Sequence, residues 1–298
     1  MKSHYLLLGL VLLVGSLEAK LNAQTFNLSI TTGSSTYNQA STPTTEGSTT
    51  FTSNFSATTP TLADNLFQNW WFYRVAGDTR ERPFGNYTKT GGGAVTMTGS
   101  AAANVMTFNL TETDAAAVTR FTSVLTFTIT NVANGTQVAQ RLVVTNPGAT
   151  PLSLSFFNYA DYDVPTASSN TATGGLGGIT VTNTAATQFG QHTPLTPANA
   201  FQVMPFSTLR GLLADTAVNN LSNSGLPFAA GDYTGAFQWD LTIAAGDSAI
   251  IDVALSNLNS LAVPEPGTIA LMGMTGISSL IAFRFLRRKR ALRFARKM

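Results

Sequence analysis

The sequence predicts an all-β fold: an antiparallel β-sandwich body with an N-terminal signal peptide and a C-terminal single transmembrane helix. Three observations carry that prediction. Apolar and polar residues alternate over segment after segment between positions 24 and 262. Clusters of Gly, Asn and Pro recur every ten or so residues with no helical period between them. Two uninterrupted apolar runs, one near each terminus, stand outside that pattern.

Residues 1–23 have the order of a secretory signal. Lys2 and His4 precede the apolar stretch Leu6 to Gly15, and Ala19 or Ala23 supplies the small residue that cleavage needs. Ten apolar residues are too few to span a bilayer but suit the central region of an export signal. Cleavage after Ala23 would leave Gln24 first.

The body, residues 24–262, reads as strands. Phe26, Leu28 and Ile30 alternate with Asn27 and Ser29, and Phe51 and Phe55 share a face. Met106, Phe108 and Leu110 are followed by Leu125, Phe127 and Ile129 in the same rhythm. The clearest case is Phe237 to Ile243, which puts four large apolar residues on one face. The turn Ala244-Ala245-Gly246-Asp247 then leads into Ala249, Ile251, Val253 and Leu255. Asn146-Pro147-Gly148, between Val143-Val144 and Leu152 to Leu154, reads as another hairpin. Residues 31–62 hold eighteen Ser or Thr in thirty-two positions, consistent with strands and loops whose outer faces carry hydroxyls or with a glycosylated, matrix-facing segment. No fixed-period repeat supports a β-solenoid.

Composition narrows the function classes. Charged residues make up 11% of the chain, against roughly 25% in ordinary soluble domains. There is no cysteine, which excludes disulfides and thiolate metal sites, and only two histidines, His4 and His192. The basic balance comes from the tail: eight positive residues fall within positions 284–297. Positions 24–263 hold seven positive side chains and thirteen carboxylates, a formal charge of about −6. No nucleic-acid partner is expected.

Within the body, Trp70-Trp71-Phe72-Tyr73-Arg74 is the densest aromatic run. Trp70, Trp71 and Tyr73 either offer a stacking surface to a carbohydrate or fill a central strand covered on both sides. Asp161-Tyr162-Asp163, preceded by Asn158, sets two carboxylates on one side of a strand end. Such oxygen ligands can hold Ca²⁺, but the spacing of known calcium loops is missing, so no metal site and no cofactor are predicted. Gly91-Gly92-Gly93 and Gly174 to Gly178 lack the Lys-Ser/Thr of a phosphate loop and read as turns. His192 lies in what reads as a polar loop. The glutamates, Glu18, Glu46, Glu81, Glu112 and Glu265, are few for a glycoside hydrolase. No catalytic residue is assigned, and the chain is expected not to be an enzyme.

The C-terminal segment, residues 263–298, has three parts. Pro264-Glu265-Pro266 keeps the approach extended, because proline lacks an N–H and turns its predecessor away from helix. A transmembrane helix over 268–286 follows. The sixteen uncharged residues from Thr268 to Phe283 rise about 24 Å, and Phe285 and Leu286 with snorkelling arginines complete a thin span. Arg284, Arg287, Arg288, Lys289 and Arg290 then hold the tail on the cytoplasmic side.

This order resembles the PEP-CTERM sorting signal of exported proteins from bacteria that make exopolysaccharide. The resemblance covers about an eighth of the chain. It implies recognition of Pro264, Glu265 and Pro266 by an exosortase, a membrane cysteine protease-transpeptidase, with Gly267 allowing close approach. The basic stretch from Ala291 to Met298 is longer than is usual for the family. The expectation is a protein exported by the secretion machinery, held transiently in the inner membrane, then placed at the cell surface or in the extracellular matrix. There it has a structural or adhesive role in an exopolysaccharide layer or biofilm. The alternatives are a carbohydrate-binding module or a polysaccharide hydrolase.

Overall fold

The computed structural model describes residues 24–58, 61–183 and 188–259. The leader 1–23 and the C-terminal segment 263–298, including the helix expected over 268–286, lie outside the described residues. Among those described, no helix is long and apolar enough to cross a membrane.

The chain first forms a four-stranded antiparallel meander of β1 (Leu28–Thr32), β2 (Ser35–Ser41), β3 (Thr52–Thr58) and β4 (Thr61–Asp64). Strands β5 (Leu66–Val75) and β6 (Arg82–Pro83) enter a second sheet. A run of hairpins follows, through β7 (Tyr87–Thr88), β8 (Ala94–Ala102), β9 (Val105–Thr113), β10 (Thr119–Val132) and β11 (Gly135–Thr145). After β12 (Leu152–Tyr162) come β13 (Asn170–Gly175), β14 (Gly178–Asn183), β15 (Gln188–Pro194) and β16 (Ala200–Pro205). The helix α1 (Thr208–Ala214), β17 (Phe228–Gly231), β18 (Tyr233–Ile243) and β19 (Ser248–Asn259) complete the body. The large sheet has ten strands in the order β17-β13-β14-β15-β19-β11-β10-β9-β8-β7, and the smaller has five, β16-β18-β12-β5-β6.

The expected strands are present, and the two larger sheets face each other as a sandwich. Tyr73 meets Phe121 across the interface with ring centroids 5.0 Å apart, and the Tyr162 hydroxyl donates to the Ser256 carbonyl. The four-stranded meander packs against strands of both sheets, an addition the sequence did not predict. Its Tyr37 stacks on Phe127 of β10, and its Ser53 hydroxyl donates to the Asn69 carbonyl of β5. Hydroxyls pair across strands at register positions, as the Ser/Thr-rich composition suggests. Thr171 meets Thr182, Thr145 meets Ser248, and Ser153 meets Thr242.

Two expected hairpins are corrected. β11 and β19 belong to the ten-stranded sheet, whereas β12 and β18 belong to the five-stranded one. The turns at Asn146-Pro147-Gly148 and Ala244 to Asp247 therefore cross from one sheet to the other. The two corners lie side by side. The Asn146 side-chain amide reaches the carbonyls of Thr150, Ile243 and Ala244, while its backbone exchanges bonds with Gly246 and Asp247. Period two identifies a strand but not the sheet in which it finds its partners.

Candidate functional site

The aromatic run lies in β5, the strand between β12 and β6. Trp70, Trp71, Phe72 and Tyr73 are all 0% exposed. Trp71 stacks on Trp239 at 5.7 Å and donates its indole N–H to Gln140 Oε1, across the sandwich. Trp70 sets its edge on Phe108, and Phe72 packs on Phe51. Trp70, Trp71 and Tyr73 thus offer no ring face to a carbohydrate, and the stacking reading is corrected in favour of a central core strand. Phe51, just ahead of β3, covers Phe72, while Phe108 of β9 covers Trp70. Phe67 is the one exposed aromatic side chain among the described residues.

His192 is also misplaced by the sequence reading. It sits in β15, fully buried, with Nε2 2.7 Å from Asn158 Oδ1 and its ring against Phe237. Burial holds its pKa down at about 3, so it is neutral at physiological pH. Asn158 passes the polar chain on to Gln140, and Gln140 to Asn69. This buried amide seam joins the sheets and accounts for Asn158, which faces the core rather than the neighbouring carboxylates. The glycine runs are turns, as expected: Gly91, Gly92 and Gly93 all have positive φ, and Gly174 to Gly178 link β13 to β14.

Most carboxylates with a structural role are recognisable by their cations. Glu81 pairs with Arg74, Glu46 with Arg82 and Glu112 with Lys89 and Arg120. Asp78 bridges Arg82 and Arg120. These pairs use all three glutamates of the body. Three aspartates stand apart from them.

Asp161 is the penultimate residue of β12, Asp163 follows that strand, and Asp232 lies between β17 and β18. Each offers an oxygen, and these oxygens all lie within 4.8 Å of one another. The backbone brings them together in two ways. Asp161 pairs with Thr234 in register, so the start of β18 lies beside the end of β12. The Asp163 N–H donates to the Asn65 carbonyl, just ahead of β5, where the β5–β12 register shifts.

The cluster is electrostatically tense. Asp161 is 0% exposed, and neither of its carboxylate oxygens has a hydrogen-bond partner. Burial raises its pKa to about 9, the charges of Asp163 and Asp232 add to that, and Arg210 and Tyr159 oppose it. Asp163 rises to about 6 through burial and then the charges of Asp232 and Asp64, and burial raises Asp232 as well. Arg210, on α1, donates to Gln68 and lies over the Phe206 ring, which in turn meets the exposed Phe67. The sequence placed Asp161 and Asp163 together. It held no signal for Asp232, which arrives from about seventy residues further along.

Two open clefts lie on the outer sheet faces. One, of about 250 Å³, is lined by Arg74, Ser153, Ser155, Asp240 and Thr242 on the five-stranded sheet. The other, of about 400 Å³, is lined by Thr126, Thr128, Arg141, Leu195 and Asp252 on the ten-stranded sheet. Each combines hydroxyls with an arginine and a carboxylate.

Comparison with known proteins locates one signal. A family model described as the PEP-CTERM protein-sorting motif matches residues 262–290. The chain carries a PEP-CTERM sorting motif. That motif implies export, recognition by an exosortase and association with the cell surface. No curated protein sequence matches the chain.

Solved structures similar to this one include a candidate aldose 1-epimerase from Escherichia coli K12. It is 9% identical with a TM-score of 0.48, over 79% of this chain and all of that one. A galactose mutarotase-like protein from Lactobacillus casei is 9% identical with a TM-score of 0.40, over 78% of this chain and all of that one. A bacterial glucoamylase solved with acarbose is 9% identical with a TM-score of 0.43, over 85% of this chain and 38% of its own. These structures are of carbohydrate-active enzyme folds, which runs against the expectation that the chain is not an enzyme, and at this similarity they assign it no activity. At this similarity the substrates of those proteins remain theirs alone.

Proposed function

We propose that the chain is an exported, exosortase-processed protein whose β body engages saccharides of an extracellular polysaccharide layer. The observation that carries this reading is the sorting motif at residues 262–290. In this reading Pro264-Glu265-Pro266-Gly267 meets the sorting enzyme at the outer membrane face. The helix 268–286 is a temporary anchor, and Arg284, Arg287, Arg288, Lys289 and Arg290 keep its far end in the cytoplasm. Residues 1–23 provide the route out.

The saccharide part of the proposal is supported by the outer clefts. In the smaller one Ser155 donates to Asp240 Oδ1 at 2.6 Å, and Arg74 holds Ser155 and Asn220. A planar guanidinium, a carboxylate and neighbouring hydroxyls form the kind of fixed donor-and-acceptor set that orients a sugar. An adhesive role requires retention on polysaccharide. Asp240→Ala and Thr242→Arg alter exposed cleft residues, so each is expected to weaken retention at least ten-fold while the protein stays folded. A wild-type protein that is not retained on the polysaccharide of its own envelope overturns the saccharide reading. Release of shortened saccharides, abolished by a single aspartate change, would identify a hydrolase.

A further inference from the structure

We propose that Asp161, Asp163 and Asp232 form a binding site for a divalent cation of the calcium type. The inference rests on the body alone and stands whether or not the saccharide reading does.

The distances fit. Calcium holds oxygen ligands at about 2.3–2.6 Å, so ligands on opposite sides of the ion lie roughly 5 Å apart. The three aspartate oxygens fall within 4.8 Å of one another. The charges fit as well. Ionised together around an ion, the three carboxylates carry −3, most of which one divalent cation offsets. Arg210 donates from Nη1 to Gln68 and lies over the Phe206 ring, while its Nε is buried without a partner.

A second observation comes from outside the cluster. Tyr159 is wholly buried on the same face of β12 as Asp161, and its hydroxyl lies beside Asp161 and Thr234 without a well-formed hydrogen bond to either. Its electrostatic neighbours are Asp161, Arg210 and Asp232. Asn65 is wholly buried next to Asp163, and its Oδ1 is unpartnered too. Together with both oxygens of Asp161 and one of Asp163, five buried oxygens without partners gather at one end of β12. Buried polar atoms of this kind are nearly always satisfied in folded proteins. All five are oxygens gathered at one place, which suits a hard cation. The set contains neither sulfur nor imidazole, which disfavours zinc and copper. Calcium also tolerates irregular oxygen sets and completes its shell with water, whereas magnesium demands an octahedron.

The test is calcium chloride titration of the chelator-treated full-length protein, followed by calorimetry and by thermal unfolding. A saturable heat is expected, with a dissociation constant of about 1 mM or tighter, the range of extracellular calcium modules. An upward shift of several degrees in the unfolding midpoint is expected at saturation. Asp232→Asn, at a half-buried position, is expected to weaken binding at least ten-fold. Asp161→Asn replaces a carboxyl that burial keeps protonated with a neutral group of nearly the same shape, so the variant is expected to fold about as stably without calcium and to lose the shift. Absence of heat and shift in the wild type overturns the proposal. So does an equal shift in both variants, and an equal response to magnesium chloride overturns the assignment to calcium.

Discussion

His192 shows how burial changes the meaning of a residue. In the sequence it is a solitary histidine between glutamine and threonine. In the fold it faces Asn158 and Phe237 with no access to water, and its ring is held neutral down to about pH 3. In the unfolded chain the same ring takes a proton near pH 6.5. Between those values the unfolded state binds more protons than the folded one. The stabilisation is therefore fully present above pH 6.5 and is lost as pH falls toward 3. His192→Gln is expected to remove roughly 3 kcal/mol of the loss that wild type suffers between pH 7 and 4. Urea unfolding of both proteins at the two pH values measures it, and the comparison cancels the opposing titrations of Asp161 and Asp163. Parallel acid profiles for the two proteins would contradict the account. The aromatic run teaches the same lesson. Trp70, Trp71 and Tyr73 were legible as large apolar area, but whether both sides of their strand were covered depended on residues far along the chain, such as Phe108, Phe121 and Gln140.

The strands themselves were legible because period two is a local property. Phe237 to Ile243 and Ala249 to Leu255 appear where alternation places them. Their partnership was not legible. A turn rich in Gly, Asn and Pro reverses the chain equally well within a sheet or between two sheets, and both corners of this sandwich were read as hairpins. Asn146 is the residue that joins these corners, since its side chain serves carbonyls of both. Asn146→Ala leaves those carbonyls without their donor at a buried position. It is expected to cost about 2–3 kcal/mol, read as a lower urea midpoint at unchanged slope. A loss below about 0.5 kcal/mol would show that the corners hold without it. Asp232 belongs to the same class of unreadable feature, because proximity to Asp161 arises only from pairing of β18 with β12.

At the scale of the whole molecule, charge is divided by position. The body carries few charges, and most of its cations are bound to carboxylates or backbone carbonyls within it. The arginine-rich stretch begins inside the segment matched by the sorting motif and runs on to Lys297 in the sequence. That division was visible from composition alone, and the motif match agrees with it. The body's chemistry was much less visible, because clefts and carboxylate clusters form from residues far apart in the chain. The central claim concerns what happens to the two ends, and the intact mass of the mature protein, recovered from envelope and from medium, tests it most directly. The account predicts a species that has lost residues 1–23 and the segment beyond Gly267, with or without an added group at the new terminus. A mature protein whose mass still includes residues 268–298 would contradict it.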